Sequence, residues 1–179
     1  MRLVLRSFWC VLLMLLPGQA FASTHGWSQA SGIARDIVVA GALGLPAVRQ
    51  DWDGVLQAGG SVGAAVLVSE GLKEAFPKLR PDGSDRRSFP SGHTATAFAA
   101  AASLQNRYGW EVGVPAQMVA AFVGVARVKA RKHHWYDVAA GAAIGEASGF
   151  LITSRRDERV RIMPWAESHG AGVDLALRF

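Results

Sequence analysis

Cysteine is almost absent from this 179-residue chain, with Cys10 the only one. Cys10 sits in a segment that reads as a cleaved leader. The chain left after cleavage would hold no thiol, which excludes disulfides and cysteine-ligated zinc. Charge is also sparse, at 18% of residues, while half the chain is apolar. That balance excludes a disordered chain. No long basic stripe is present, so DNA and RNA are not expected partners. There are no repeats, no low-complexity tracts, and no His/Cys/Asp/Glu cluster with metal-ligand spacing.

The expected leader covers residues 1–22. Arg2 and Arg6 form a basic start, Phe8 to Leu16 a short apolar run, Pro17-Gly18 a break, and Ala20-Phe21-Ala22 a small-x-small cleavage pattern. The apolar run is shorter than the roughly 20 residues a bilayer span needs. Removing both arginines lowers the basic count from 19 to 17 against 14 acids, so net charge falls from +5 to +3. An exported, periplasmic chain is the expectation.

Residues 23–154 read as one all-α domain, a helical bundle. A polar lead-in runs from Ser23 to Gly32. Helical patterns follow over Ile33–Val48, Trp52–Leu72, Ser91–Leu104, Val114–Arg127 and His133–Ile152. Gly141, Gly145 and Gly149 recur every four residues, a spacing that lets helices approach closely. Phe76 to Pro90 is a long polar loop, and such loops are often functional. Residues 155–179 read as a C-terminal β-hairpin: Val173, Leu175, Leu177 and Phe179 alternate at the strand period, with His169 to Gly172 as the turn. Asp36, Gln57, Glu70 and Glu146 fall in or near the apolar stretches. Charges are expensive inside a bilayer, which favours a soluble or peripheral domain over an integral bundle whose site faces the periplasm.

Three segments carry chemistry. His133 and Asp137 are spaced i, i+4, so on a helix they share a face. The carboxylate can then take the proton of one ring nitrogen and leave the other as a nucleophile; the pair alone also fits a surface contact with no role. Pro90-Ser91-Gly92-His93 reads as a helix start, whose free N–H groups bind phosphate; it also fits an ordinary capped helix. Lys73, Arg80 and Arg127 are cations near these segments, and phosphoryl transfer needs charge placed around three equatorial oxygens. Each is also, taken singly, an ordinary surface charge.

Together the three resemble the signature of the type 2 phosphatidic acid phosphatase and vanadium haloperoxidase superfamily: Lys-x6-Arg-Pro, Pro-Ser-Gly-His and Ser-Arg-x5-His-x3-Asp. The sequence has KEAFPKLRP from Lys73, PSGH from Pro90 and ARVKARKHHWYD from Ala126. Only Ala126 departs, standing where the family has Ser and removing one hydroxyl donor. The resemblance implies a phosphatase that works through a phosphohistidine. His133 attacks, Asp137 orients it, and His93 protonates the leaving oxygen and then activates water. Lys73, Arg80, Ser91, Gly92 and Arg127 hold the phosphoryl oxygens. No metal or other cofactor is expected, because the cations already neutralise the phosphate. His134 is read as a neighbour. Lys78, Lys129, Arg131 and Lys132 are read as facing solvent or lipid head groups, and Arg86-Arg87 with Arg131-Lys132 as drawing an anionic substrate.

The implied substrates are lipid phosphates or pyrophosphates, with membrane association, or small soluble phosphates as in secreted acid phosphatases. An inactive anionic-lipid-binding protein and a vanadate haloperoxidase are the competing readings.

Overall fold

A computed structural model describes residues 23–156, 160–167 and 170–177. The expected leader at 1–22 lies outside the described residues. Among the described residues five helices follow one another: α1 (Thr24–Val48), α2 (Trp52–Ala75), α3 (Gly92–Tyr108), α4 (Trp110–Lys129) and α5 (Trp135–Ile152). Two strands, β1 (Val160–Glu167) and β2 (Gly170–Leu177), pair antiparallel from Val160↔Leu177 to Glu167↔Gly170. The architecture is the expected helical bundle with a C-terminal hairpin. Gly170 to Gly172, read as turn, belong to β2.

α1 starts nine residues before the apolar pattern does. Ser23 Oγ accepts the Gly26 N–H at 3.0 Å and caps the helix, while Gly26, Ala30 and Ser31 are buried. The small polar residues that look like a lead-in are therefore packing residues. At the far end of α1, Asp51 caps α2 through Gly54 N–H at 3.2 Å. Arg107 Nε donates to the same carboxylate at 2.8 Å and Tyr108 Oη at 2.7 Å. Arg107 also reaches the Ser154 carbonyl at 3.0 Å, so one buried ion pair ties together four helix ends. Gly109, with φ 85°, makes the one-residue corner between α3 and α4 in a conformation other residues resist.

α3 is the central helix, with Ala95, Ala97 and Ala99 to Ala102 all fully buried. Its alanines and the glycines of α5 let the two backbones touch. A Cβ at Gly145 would lie 2.4 Å from the Ala95 carbonyl oxygen, and one at Gly141 2.5 Å from that of Ser91. The glycine spacing read from sequence is this contact.

The large apolar side chains lie on the outside. Leu56, Leu67 and Met118 are each about 70% exposed or more, as are Trp110 and Leu151. α1, α2 and α4 are long and apolar enough to cross a membrane. The 24 residues of α2 span about 36 Å at ~1.5 Å per residue, against a hydrocarbon core of about 30 Å. Exposed tryptophans mark both ends of the bundle, Trp52 and Trp110 at one and Trp135 at the other. A core of small residues inside an apolar exterior is the build of a membrane protein, and it displaces the preference for a soluble domain. The polar residues behind that preference have partners: Asp36 pairs with Arg35, Glu70 with Lys73 and Arg87, Gln57 bonds Ser154, and Glu146 bonds Gln117.

Candidate active site

The motif residues arrive from separate elements at the end of the bundle opposite Asp51. Lys73 is on the last turn of α2, Arg80 in the loop after it, Gly92 and His93 on the first turn of α3, and Arg127 near the end of α4. His133 lies in the α4–α5 loop. All six line a cavity of about 280 Å³, joined by Arg35 of α1 and by Ser69, Glu70 and Thr96.

The loop over residues 76–91 is held by its own backbone. Lys78 N–H reaches the Arg86 carbonyl at 2.9 Å, Arg80 N–H that of Asp85 at 3.0 Å, and Ser88 N–H that of Lys78 at 2.9 Å. The Arg80 guanidinium is steadied by Asp85 at 2.6 Å, and Lys132 pins the loop through Asp82 at 2.6 Å.

This loop delivers Ser88 to His133. The His133 Nδ1 lies 2.6 Å from the Ser88 carbonyl oxygen. A carbonyl only accepts, so Nδ1 carries the proton and Nε2 keeps its lone pair. Burial, followed by the field of Arg127, pushes the His133 pKa down to about 4. The ring is therefore neutral at pH 7.

Asp137 does not touch the His133 ring as the i, i+4 spacing predicts. α5 begins at Trp135 with His134 as its N-cap, so His133 lies off the helix. The Asp137 Oδ2 accepts from Ser88 Oγ at 2.5 Å and from His134 N–H at 2.9 Å, with His134 Nδ1 at 3.0 Å. The Lys78 Nζ stands 3.4 Å from Oδ1. Burial alone would raise the Asp137 pKa, but the Ser88 hydroxyl and the His134 donors outweigh it and hold the carboxyl below its ordinary value. Ser88 thus bridges the two: its hydroxyl binds Asp137 and its carbonyl binds His133. His134 is a structural cap, not merely a neighbour.

His93 Nε2 lies 3.1 Å from Arg35 Nη1. Burial first, then Arg127 and Arg35, push its pKa down to about 3. Lys73 Nζ is 2.5 Å from Glu70 Oε1 and would be 3.0 Å from a Cβ at Gly92. Glycine there keeps the space between the α3 terminus and the ammonium open. Arg127 Nη1 donates to Ser28 Oγ at 3.2 Å and contacts Ser31 Oγ at 3.4 Å, whereas its Nε is buried without a partner, as is Ser69 Oγ. Buried unpaired donors are rare, and Arg127 and Ser69, which carry these two, both line this cavity.

Ser91 is not brought to the cavity. Its N–H donates to the Asp137 carbonyl at 2.9 Å and its hydroxyl pairs with Thr94 Oγ1 at 2.9 Å, locking α3 to α5. Ala126 is fully buried and is not among the residues lining this cavity. Lys78 sits over the Tyr136 ring at 3.4 Å, and Arg87 is tied to Glu70 and Glu74, so neither is a loose cation for substrate capture. Arg35, Ser69, Thr96 and Ser88 escape the sequence reading, and Glu70 left a signal only as a charge near an apolar stretch.

The profile of the PAP2 superfamily matches residues 82–161. The decaprenylphosphoryl-5-phosphoribose phosphatase of Mycobacterium tuberculosis is 30% identical over 128 residues, covering 66% of this chain and 68% of that protein. The chain belongs to the PAP2 superfamily. The lipid A 1-phosphatase of Porphyromonas gingivalis is 45% identical over 83 residues, 44% of this chain but only 18% of that protein. The chain thus spans a small part of that relative's length. The crystal structure of Aquifex aeolicus LpxE superposes with a TM-score of 0.61 at 24% identity, over 70% of this chain and 81% of that one, a likeness of fold.

Proposed function

We propose that this PAP2 protein is a membrane-embedded phosphatase of the cell envelope that hydrolyses lipid phosphate monoesters through a phosphohistidine at His133. The observation that carries the reading is the His133 ring itself, buried and bonded through Nδ1 to the Ser88 carbonyl, in a cavity that Lys73, Arg80 and Arg127 also line. A neutral imidazole of fixed tautomer is a nucleophile, and cations around it favour a phosphoryl group.

Nε2 attacks phosphorus, the P–O ester bond breaks, and the leaving oxygen takes a proton from His93. Water then attacks the phosphohistidine as His93 accepts its proton, which frees inorganic phosphate and returns both rings to their starting states. Lys73, Arg80, Arg127 and the N–H groups at Gly92 hold the oxygens. Asp137 keeps His133 in place through Ser88. The relatives named for phosphates on lipid A and on a decaprenyl-linked ribose support a lipid substrate, as does the apolar exterior. We place the site at the periplasmic face.

The test is phosphate release by the purified chain in detergent, with EDTA present, from phosphatidate, lipid A and the soluble ester p-nitrophenyl phosphate. His133→Ala is expected to lose on the order of a thousandfold or more in kcat, and vanadate to inhibit the unmodified protein. Preference for the soluble ester would favour the acid-phosphatase reading. Lipid binding without turnover would favour an inactive binding protein, and halide oxidation with vanadate a haloperoxidase.

A further inference from the structure

Arg35 belongs to none of the three motifs, yet it lines the cavity. It lies on α1, a helix apolar and long enough to span a bilayer, between the exposed Ile33 and Ile37. A charge in such a segment is expensive and needs a reason. The guanidinium is gripped on one side: Nε and Nη2 both donate to Asp36 Oδ1, at 2.9 and 2.7 Å. That grip aims Nη1 at His93 Nε2, 3.1 Å away.

The contact has a chemical consequence. A guanidinium has only donors, so the bond exists only while His93 Nε2 is an acceptor without a proton. Protonating a leaving oxygen from Nε2 requires the opposite state, and two donors cannot face each other. The other groups around the cavity are cationic or committed elsewhere: Arg127 from α4 and Lys73 from α2 carry positive charge, the Glu70 carboxylate of α2 is held by Lys73 and Arg87, and the lone pair on Nε2 of His133 is the one reserved for phosphorus. A phosphoryl oxygen in the cavity is the acceptor that suits Nη1.

We propose that Arg35 is a fourth phosphate-binding cation, one that exchanges His93 Nε2 for a phosphoryl oxygen when substrate enters and so allows His93 to take up the proton it later delivers. This rests on the phosphohistidine reading of the site. The proton comes from solvent and binds Nε2 once Arg35 has turned to the phosphate. The dianion beside the ring then favours the imidazolium. When the P–O bond breaks, its electron pair stays on the ester oxygen, which receives that proton. Arg35 thereby couples arrival of the phosphate to charging of the acid.

The experiment compares inorganic phosphate and vanadate inhibition of the unmodified full chain in detergent with that of Arg35→Lys and Arg35→Gln. Lysine keeps the charge, and glutamine keeps only a donor. Losing one charge-assisted hydrogen bond to phosphate weakens binding by about tenfold or more. The inhibition constants are expected to rise in the order Arg, Lys, Gln, with the glutamine variant weakened at least that much. Equal constants in all three proteins overturn the proposal while leaving the phosphatase reading intact. An unmodified chain without turnover sinks that reading instead.

A second measurement needs no variant. Nitrogen NMR of the imidazoles, followed through a pH titration with and without saturating phosphate, is expected to show Nε2 of His93 gaining its proton at higher pH when phosphate is bound. No phosphate dependence at that nitrogen would also overturn the proposal.

Discussion

The Ser88 bridge yields the sharpest test of how Asp137 acts. Ser88→Ala removes the hydroxyl that reaches Asp137 Oδ2 at 2.5 Å but keeps the carbonyl that accepts from His133 Nδ1. Both side chains are fully buried. A hydrogen bond to a charged group contributes about 1.5–3 kcal/mol, and the buried carboxylate cannot recover it from water. Ser88→Ala should therefore lower Tm in detergent at pH 7 by an amount corresponding to about 2 kcal/mol. Asp137→Asn should lose more, because the His134 capping contacts and Lys78 also lose a charged partner. The double variant should fall short of the sum, with a coupling of about 1–2 kcal/mol, since residues in one hydrogen-bond network are not additive. The same cycle measured on kcat for p-nitrophenyl phosphate should be non-additive too, because both side chains hold one ring. Strict additivity in stability and in rate would mean that Asp137 does not reach His133 through Ser88, and the bridge would have to be abandoned.

Other outcomes follow from the same structure. Gly145→Ala places a methyl 2.4 Å from the Ala95 carbonyl oxygen, so α5 is expected to shift from α3 at a cost of about 1–3 kcal/mol, read as a lower Tm. Asp51→Asn breaks the buried pair with Arg107 at the opposite end of the bundle. It should destabilise by about 3–5 kcal/mol and leave KM for p-nitrophenyl phosphate unchanged. His133 binds a proton at about 4 in the folded chain against 6.5 ordinarily. The unfolded chain takes that proton first, so this contribution to stability is complete above pH 6.5 and is lost as pH falls toward 4. The rate should drop over the approach to pH 4 as the nucleophile is protonated; a rate that already halves near pH 6.5 would contradict the buried, neutral ring.

Much of this was legible in the sequence, through three motifs whose order and spacing resemble the family signature. Lys73, Arg80, Gly92, His93, Arg127 and His133 do converge on one cavity, because loops and helix ends at fixed separations leave few ways to bring them together. The glycines of α5 announced a close contact, and α3 supplies it. The i, i+4 rule failed for His133 and Asp137 because it presumes that both lie on the helix. His134 takes the cap, which leaves His133 one residue outside. Ser88 could not be read at all, since half its role belongs to a backbone carbonyl that every residue type carries. The contact of Arg35 with His93 crosses 58 positions, and no spacing rule connects them.

The choice between a soluble and a membrane chain turned on a different difficulty. Along a sequence, Asp36 and Glu70 count as charges placed in apolar helices. In the fold each belongs to an ion pair beside the cavity, with Arg35 and with Lys73. The polar cost is met within the bundle, and what remains outward is Ile, Leu, Val, Met and Trp. The burial order that a soluble domain requires is reversed: alanine, glycine and serine fill the interior while leucine and tryptophan cover the surface. Small residues on α3 and α5 let the helix ends converge tightly enough to bring His93 and His133 to one cavity. In water that economy of core volume would leave a fold with little hydrophobic driving force. In a bilayer, where helices associate by close packing, the same alanines and glycines both hold the bundle together and set the geometry of the site.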